Sequence, residues 1–158
     1  MRKILVSGCL YGWHCRYDAV DCPCEDPMFT KWRQEGRLVV VCPEVEGGLP
    51  TPRSDSQRQG TTLDSRVVAC TGKDCTKEYY AGARVALRLA TEYDVALCVL
   101  KEDSPSCGTH FIYDGTFTDT KIGGQGMAAQ TLREAGFKVF SENELSEAQE
   151  LLEKLESL

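Results

Sequence analysis

The sequence predicts a three-layer α/β/α fold around a mostly parallel sheet of about four main strands, with a small hairpin added. Two observations carry this. Short apolar runs alternate with stretches of helical periodicity, the pattern of a sheet covered on both faces. Several of those runs break at Gly-Cys or Cys-Pro, as buried parallel strands do when they pass into a turn. With 158 residues, no internal repeat and no dividing linker, the chain is expected to form one domain spanning 1–158, Rossmann-like in its order of elements.

Lys3-Ile4-Leu5-Val6-Ser7 is the first strand, and it breaks at Gly8-Cys9. Tyr11 to Cys24 is irregular, with a Cys22-Pro23-Cys24 triplet, and reads as a functional loop. Asp26 then caps a helix with Pro27 in its first turn, Phe29 and Trp32 inward and Gly36 at its end. Arg37 to Val41 is the second strand and stops at Cys42-Pro43-Glu44. Residues 46 to 65 lack periodicity, and a loop longer than about 15 residues in a compact domain is usually a lid or a mobile segment. Arg66 to Ala69 reads as a short edge strand.

A helix follows from about Lys77 to Tyr93, with Tyr80, Ala83, Val85, Leu87 and Ala90 as its inward stripe. Asp94 to Leu100 is the most strand-like run, and it delivers the loop Lys101 to Gly108. Asp114-Gly115 marks a hairpin between Phe111 and Phe117. Gly123-Gly124-Gln125-Gly126 opens a helix that closes at Gly136 and reads as a turn and cap. Phe137 to Phe140 is the fourth strand, and Ser141 to Leu158 a final amphipathic helix with Leu145, Leu151, Leu152 and Leu155 inward.

The net charge of −6 includes no basic run, which argues against phosphate-led binding of duplex nucleic acid. No apolar stretch approaches the roughly 20 residues that span a bilayer, and the start of the chain lacks a secretory pattern. The expected location is the cytoplasm. Nine cysteines in that compartment point to metal ligation or catalysis more than to disulfides.

Parallel strands place the residues just after Val6, Val41 and Leu100 on one edge of the sheet, where open α/β sheets bind ligands. Cys9, Cys42 and Cys107 therefore converge. Cys107 lies seven residues beyond Leu100, so its loop must fold back to join the other two. A single buried cysteine is commonly just core. Three at corresponding strand ends suit a metal or an iron–sulfur cluster with one position left open. Glu44, Lys101, Asp103, Ser104 and Ser106 lie beside them, and Glu44 is placed to carry protons. Cys98 reads as core. Cys22 and Cys24, with Cys15 and either Cys70 or Cys75, could make an accessory zinc site, although their spacing is not that of a standard knuckle. His14, His110, Trp13 and Trp32 take packing or surface readings.

Gly8-Cys9-Leu10, Cys15-Arg16-Tyr17-Asp18, Cys42-Pro43-Glu44, Gly47 to Arg53, Lys101-Glu102 and Ser104 to Gly108, together with Ile112 to Phe117, have a distinctive order and spacing. They resemble the thiouracil desulfidase family over nearly the whole chain. The resemblance implies a [4Fe-4S] cluster on Cys9, Cys42 and Cys107. It also implies removal of sulfur from a thiolated pyrimidine such as 2-thiouracil, by non-redox transfer of sulfide to the open iron, leaving uracil. By position in the matching motifs, Glu44 is the acid/base and Ser104 the hydrogen-bonding partner of substrate or intermediate, with Tyr17, Asp18, Arg53 and Lys101 as further pocket residues. The chain departs from the family pattern at Ala19, where glycine is usual, and at Ser54 to Gln57, where the usual continuation is rich in proline. A free base or nucleoside is the expected partner, rather than RNA. The competing reading is a cysteine-rich zinc-binding interaction or structural module without catalysis.

Overall fold

The computed structural model describes residues 1–20 and 22–158. In chain order the elements are β1 (Ile4–Ser7), α1 (Gly8–Tyr11), α2 (Pro27–Gln34), β2 (Leu38–Val41), α3 (Pro43–Glu46), β3 (Ser56–Arg58), β4 (Val67–Ala69), α4 (Thr76–Glu92), β5 (Leu97–Leu100), β6 (Phe111–Tyr113), β7 (Lys121–Gly123), α5 (Met127–Glu134), β8 (Val139–Ser141) and α6 (Leu145–Glu156). The main sheet has the order β2-β1-β5-β8. Every pair in it is parallel.

Side chains of a strand alternate between its two faces, and each face here has its own core. Leu5, Cys98 and Val139 pack with Tyr79, Ala83 and Ala86 of α4 and with Met127 and Leu132 of α5. Ile4, Val6, Leu97 and Val99 pack with Phe29 and Trp32 of α2 and with Leu145, Ala148 and Leu152 of α6. Helices therefore cover both faces, the three-layer arrangement expected from the alternating elements. The cap of α2 is as the sequence predicts, with Asp26 Oδ1 accepting from the Met28 N–H at 2.8 Å. Trp32 Nε1 donates to Gln149 Oε1 at 2.8 Å, tying α2 to α6.

Three expectations are corrected. Residues 46 to 65 are not without regular structure, because β3 pairs antiparallel with β4 in a separate two-stranded sheet. The polar sequence Ser-Gln-Arg carries no apolar period to announce a strand. The hairpin β6–β7 is joined by residues 114 to 120, not by a tight Asp-Gly turn. In α4 the deeply buried tyrosine is Tyr79, at 2% exposure, while Tyr80 is only partly covered.

Close backbone contact between α3 and α4 sets that phase. A Cβ on Gly82 would lie 1.8 Å from the Pro43 carbonyl oxygen, and one on Gly47 would lie 1.9 Å from that of Glu78. The two glycines let the helices touch, and that contact brings Tyr79 of α4 beside Glu44 of α3. Ala19 adopts φ +60°, so the position where glycine is usual does use the left-handed region, here with an alanine.

Candidate active site

Because β1 lies between β2 and β5, the chain ends of these three strands adjoin at the carboxyl edge of the sheet. After β1 the chain runs through the short α1 into α2, which packs on one face, and the helix that follows β5 and its hairpin, α5, packs on the other, so the crevice between these strands is where an open α/β sheet receives a ligand. A cavity of about 290 Å³ opens there. Cys9, Cys42 and Cys107 line it together with Glu44, Ser104, Tyr17, Arg53 and Lys101.

The loop after β5 does fold back, and Glu102 is what folds it. This buried carboxylate accepts the backbone N–H groups of Thr109 at 2.7 Å, His110 at 2.9 Å and Phe111 at 3.0 Å through Oε1. Its Oε2 accepts the Thr109 hydroxyl at 2.7 Å. Within the loop, the Ser104 hydroxyl accepts the N–H groups of Ser106 and Cys107 at 3.1 and 3.2 Å. The start of α5 closes the other side, with the N–H of Met127 on the Pro105 carbonyl and that of Ala128 on the Ser106 carbonyl. A Cβ on Gly126 would lie 2.3 Å from the Ser106 carbonyl carbon, so only glycine permits this contact. The free N–H groups of α5 thus hold the cysteine loop.

Burial would raise the pKa of Glu102, but the hydrogen bonds from His110, Phe111 and Thr109 outweigh it and hold the carboxyl below its ordinary value of 4.5. Its contribution to stability is accordingly complete above that value and lost as pH falls below it. Glu102→Gln can keep one oxygen on the three backbone N–H groups, but that oxygen is uncharged and the amide N–H groups turn to the Thr109 hydroxyl, so the expected loss is about 1–2 kcal/mol at neutral pH. Chemical denaturation reads it, and the gap from the wild type is expected to narrow as pH falls below 4.5.

Glu44 is the hub of the polar side of the cavity. Its Oε1 accepts from Arg53 Nη2 at 2.9 Å, Arg53 Nε at 3.2 Å and the Tyr79 hydroxyl at 2.9 Å. Its Oε2 accepts from the Ser106 hydroxyl at 2.8 Å and that of Ser104 at 3.3 Å. Arg53 also donates to the carbonyls of Cys15 and Pro50 and to Thr51 Oγ1, so all its N–H groups are engaged by protein. It lines the cavity as expected and, with every N–H group engaged, orients Glu44. Asp18 is not part of the cavity wall. Its carboxylate accepts the Val20 N–H at 3.1 Å and pairs with Arg16 at 3.7 Å. Lys101 lines the cavity while its Nζ pairs with Glu142 at 3.0 Å.

Tyr79 joins the site without having been marked in the sequence, while Ser106, expected only to flank Cys107, and Cys15, grouped with Cys22 and Cys24, also line the cavity. Cys15 lines the cavity, and its hydrogen bond to Cys42 holds the Cys42 thiol below the ordinary range despite burial. Burial, then the neighbouring Cys22 and Cys42, push Cys9 up to about 12. Burial also pushes Cys107 up, against hydrogen bonds from Ser7 and Ser106.

Bare thiolates in this cavity thus repel one another, and a cationic metal centre would relieve that cost. The donor set suits an iron–sulfur cluster better than a zinc ion. Zinc needs its ligands about 2.0–2.3 Å from one centre, and among the described residues no three Cys, His, Asp or Glu side chains are gathered closely enough to hold a metal ion. The other cysteines are dispersed. Cys98 is core, Cys70 is exposed beyond β4, and Cys75 precedes α4. Cys22 and Cys24 run beside α1, their N–H groups on the Cys9 and Leu10 carbonyls. His110 pairs with Glu144 at 2.7 Å.

Thiols that meet at the end of a parallel sheet, facing a partly buried carboxylate with hydroxyl donors on it, fit an α/β enzyme of the kind that handles sulfur. Comparison with known proteins places the chain within that class. Residues 4–144 match the family model for 2-thiouracil desulfurase, and the chain belongs to that family. Uncharacterized protein YbbK of Bacillus subtilis (strain 168) is 41% identical over 150 residues, covering 91% of this chain and 98% of that protein. The solved structure of the [4Fe-4S]-dependent thiouracil desulfidase TudS superposes with a TM-score of 0.91 at 40% identity, over 100% of both chains. No helix among the described residues is long and apolar enough to cross a membrane.

Proposed function

We propose that this chain is a desulfidase that takes sulfur from a thiolated pyrimidine of the 2-thiouracil kind and leaves uracil, using a [4Fe-4S] cluster held by Cys9, Cys42 and Cys107. The observation that carries this reading is the meeting of three buried thiols with Glu44 in one cavity at the carboxyl edge of the sheet. When bound, the cluster supplies a soft, Lewis-acidic iron with a preference for sulfur. The net change exchanges a C=S for a C=O with water as the oxygen donor, so it consumes no oxidant or reductant.

The chain's own residues supply the proton handling and the fit. Glu44 Oε1 is held by Arg53 and Tyr79, which leaves Oε2, beside Ser104 and Ser106, to take a proton from the attacking water. The two serine hydroxyls pass hydrogen bonds between Glu44, each other and the Cys107 sulfur. They can therefore follow the proton as it moves to the departing sulfide. Tyr17 and Tyr113 line the cavity and offer ring faces for a flat base. A free base or nucleoside suits a cavity of this size.

An anaerobic preparation tests the reading. Iron and acid-labile sulfide are assayed with the visible absorbance, and uracil release from 2-thiouracil is then followed. Stoichiometric zinc with no reconstitutable cluster would overturn it in favour of a structural zinc module.

A further inference from the structure

Gln57 lies in the middle of β3, lines the cavity and is only 5% exposed. Its side-chain oxygen accepts two backbone N–H groups, from Gly115 at 2.9 Å and Phe117 at 3.2 Å. That pair fixes which way the amide faces, because turning it over would aim its own N–H groups at two donors. The Nε2 group has no hydrogen-bond acceptor among the described residues. It is also absent from the few orphaned polar atoms that protein encloses completely, which are Arg2 Nε, Arg58 Nε and Glu78 Oε2. A fixed donor on a buried side chain in the cavity wall is a reading group for a ligand.

We infer that Gln57 sets the choice of base, its Nε2 donating to the ring carbonyl of a thiolated uracil and rejecting the amino group that a thiolated cytosine carries there. This rests on the desulfidase reading for the kind of ligand. Uracil and cytosine rings differ at C4 by an acceptor oxygen against a donor amine. A free glutamine would serve either by rotating its amide. Gln57 cannot, since the Gly115 and Phe117 N–H groups hold its only acceptor, and a donor facing a donor leaves both unpaired. Sites built around one hydrogen bond discriminate strongly against the analogue that cannot make it. The residue's second job, holding the loop between β6 and β7, uses the other half of the amide. The two roles are therefore separable.

Gln57→Glu separates them: one oxygen still accepts the two backbone N–H groups, and only the donor facing the cavity becomes an acceptor. In the reconstituted wild type, calorimetry is expected to show uracil binding about tenfold or more tighter than cytosine, and Gln57→Glu to erase or invert that preference. Iron content and thermal midpoint should stay close to wild type. Turnover should show the same change as a raised KM for 2-thiouracil and a lower ratio of kcat/KM for 2-thiouracil over 2-thiocytosine. Gln57→Met, which removes both the donor and the acceptor of the Gly115 and Phe117 N–H groups, is the second variant, expected to level the two affinities at a lowered thermal midpoint. Equal binding of uracil and cytosine by the wild type, or an unchanged preference in a folded variant, overturns the inference. Absence of uracil release from 2-thiouracil by a wild type that still prefers uracil would instead count against the desulfidase reading alone.

Discussion

Replacing Cys9, Cys42 or Cys107 by serine is expected to bring iron content after anaerobic reconstitution close to zero and uracil release to background. Serine keeps the size of the side chain but offers a hard, weakly acidic oxygen where a soft thiolate is required. Each of the three comes from the end of a different strand, so the fold has no neighbouring thiol on the same loop to replace Cys107. Cys15 is the one other thiol in the cavity wall. Its hydrogen bond supports Cys42 as a thiolate, so Cys15→Ala is expected to retain iron while losing it faster to a chelator. Cys70→Ser, on an exposed turn, should behave as wild type. Full iron loading in any of the three strand-end variants would show that the cluster sits elsewhere.

Glu44→Gln is expected to keep the cluster and to lower turnover by about 10²–10⁴, the usual range for removing a positioned acid–base group. The amide cannot take the proton proposed for Oε2, and it must keep its oxygen on Arg53 and Tyr79 and turn its N–H groups to Ser104 and Ser106, whose hydroxyls then have to accept instead of donate. The guanidinium of Arg53, 7% exposed, loses the carboxylate it faces at 2.9 Å. Breaking a buried pair from one side costs on the order of 3 kcal/mol. A fall in the thermal midpoint should thus accompany the loss of rate. Unchanged turnover in a loaded, folded Glu44→Gln protein would remove Glu44 from the reaction, while loss of iron would recast it as a residue that builds the cluster cavity.

Much of this site was legible in the chain itself. Apolar runs ending at Cys9 and at Cys42 declare two parallel strands, and parallel strands bring their ends to one edge however far apart they lie in sequence. Glu44 follows from its place two residues after Cys42. The donors around it do not. Tyr79 rather than Tyr80 faces it because two glycines let α3 and α4 touch, a long-range contact that helical periodicity does not contain. Arg53, a lining residue of the cavity, is also the partner of Glu44, and the Cys15, Pro50 and Thr51 oxygens engage its remaining N–H groups.

Layer order, the strands of the sheet, the convergence of three thiols and the acid beside them are all written in the chain, since they depend on local propensity and on the geometry of parallel pairing. The return of the Cys107 loop, the polar strand β3 with Gln57 on the cavity wall, and the place of Asp18 outside that wall emerge only when the loops pack. Each of those depends on which backbone N–H groups are left unpaired when loops pack. A buried N–H must find an acceptor wherever the chain can bring one, and for the Cys107 loop that acceptor is Glu102.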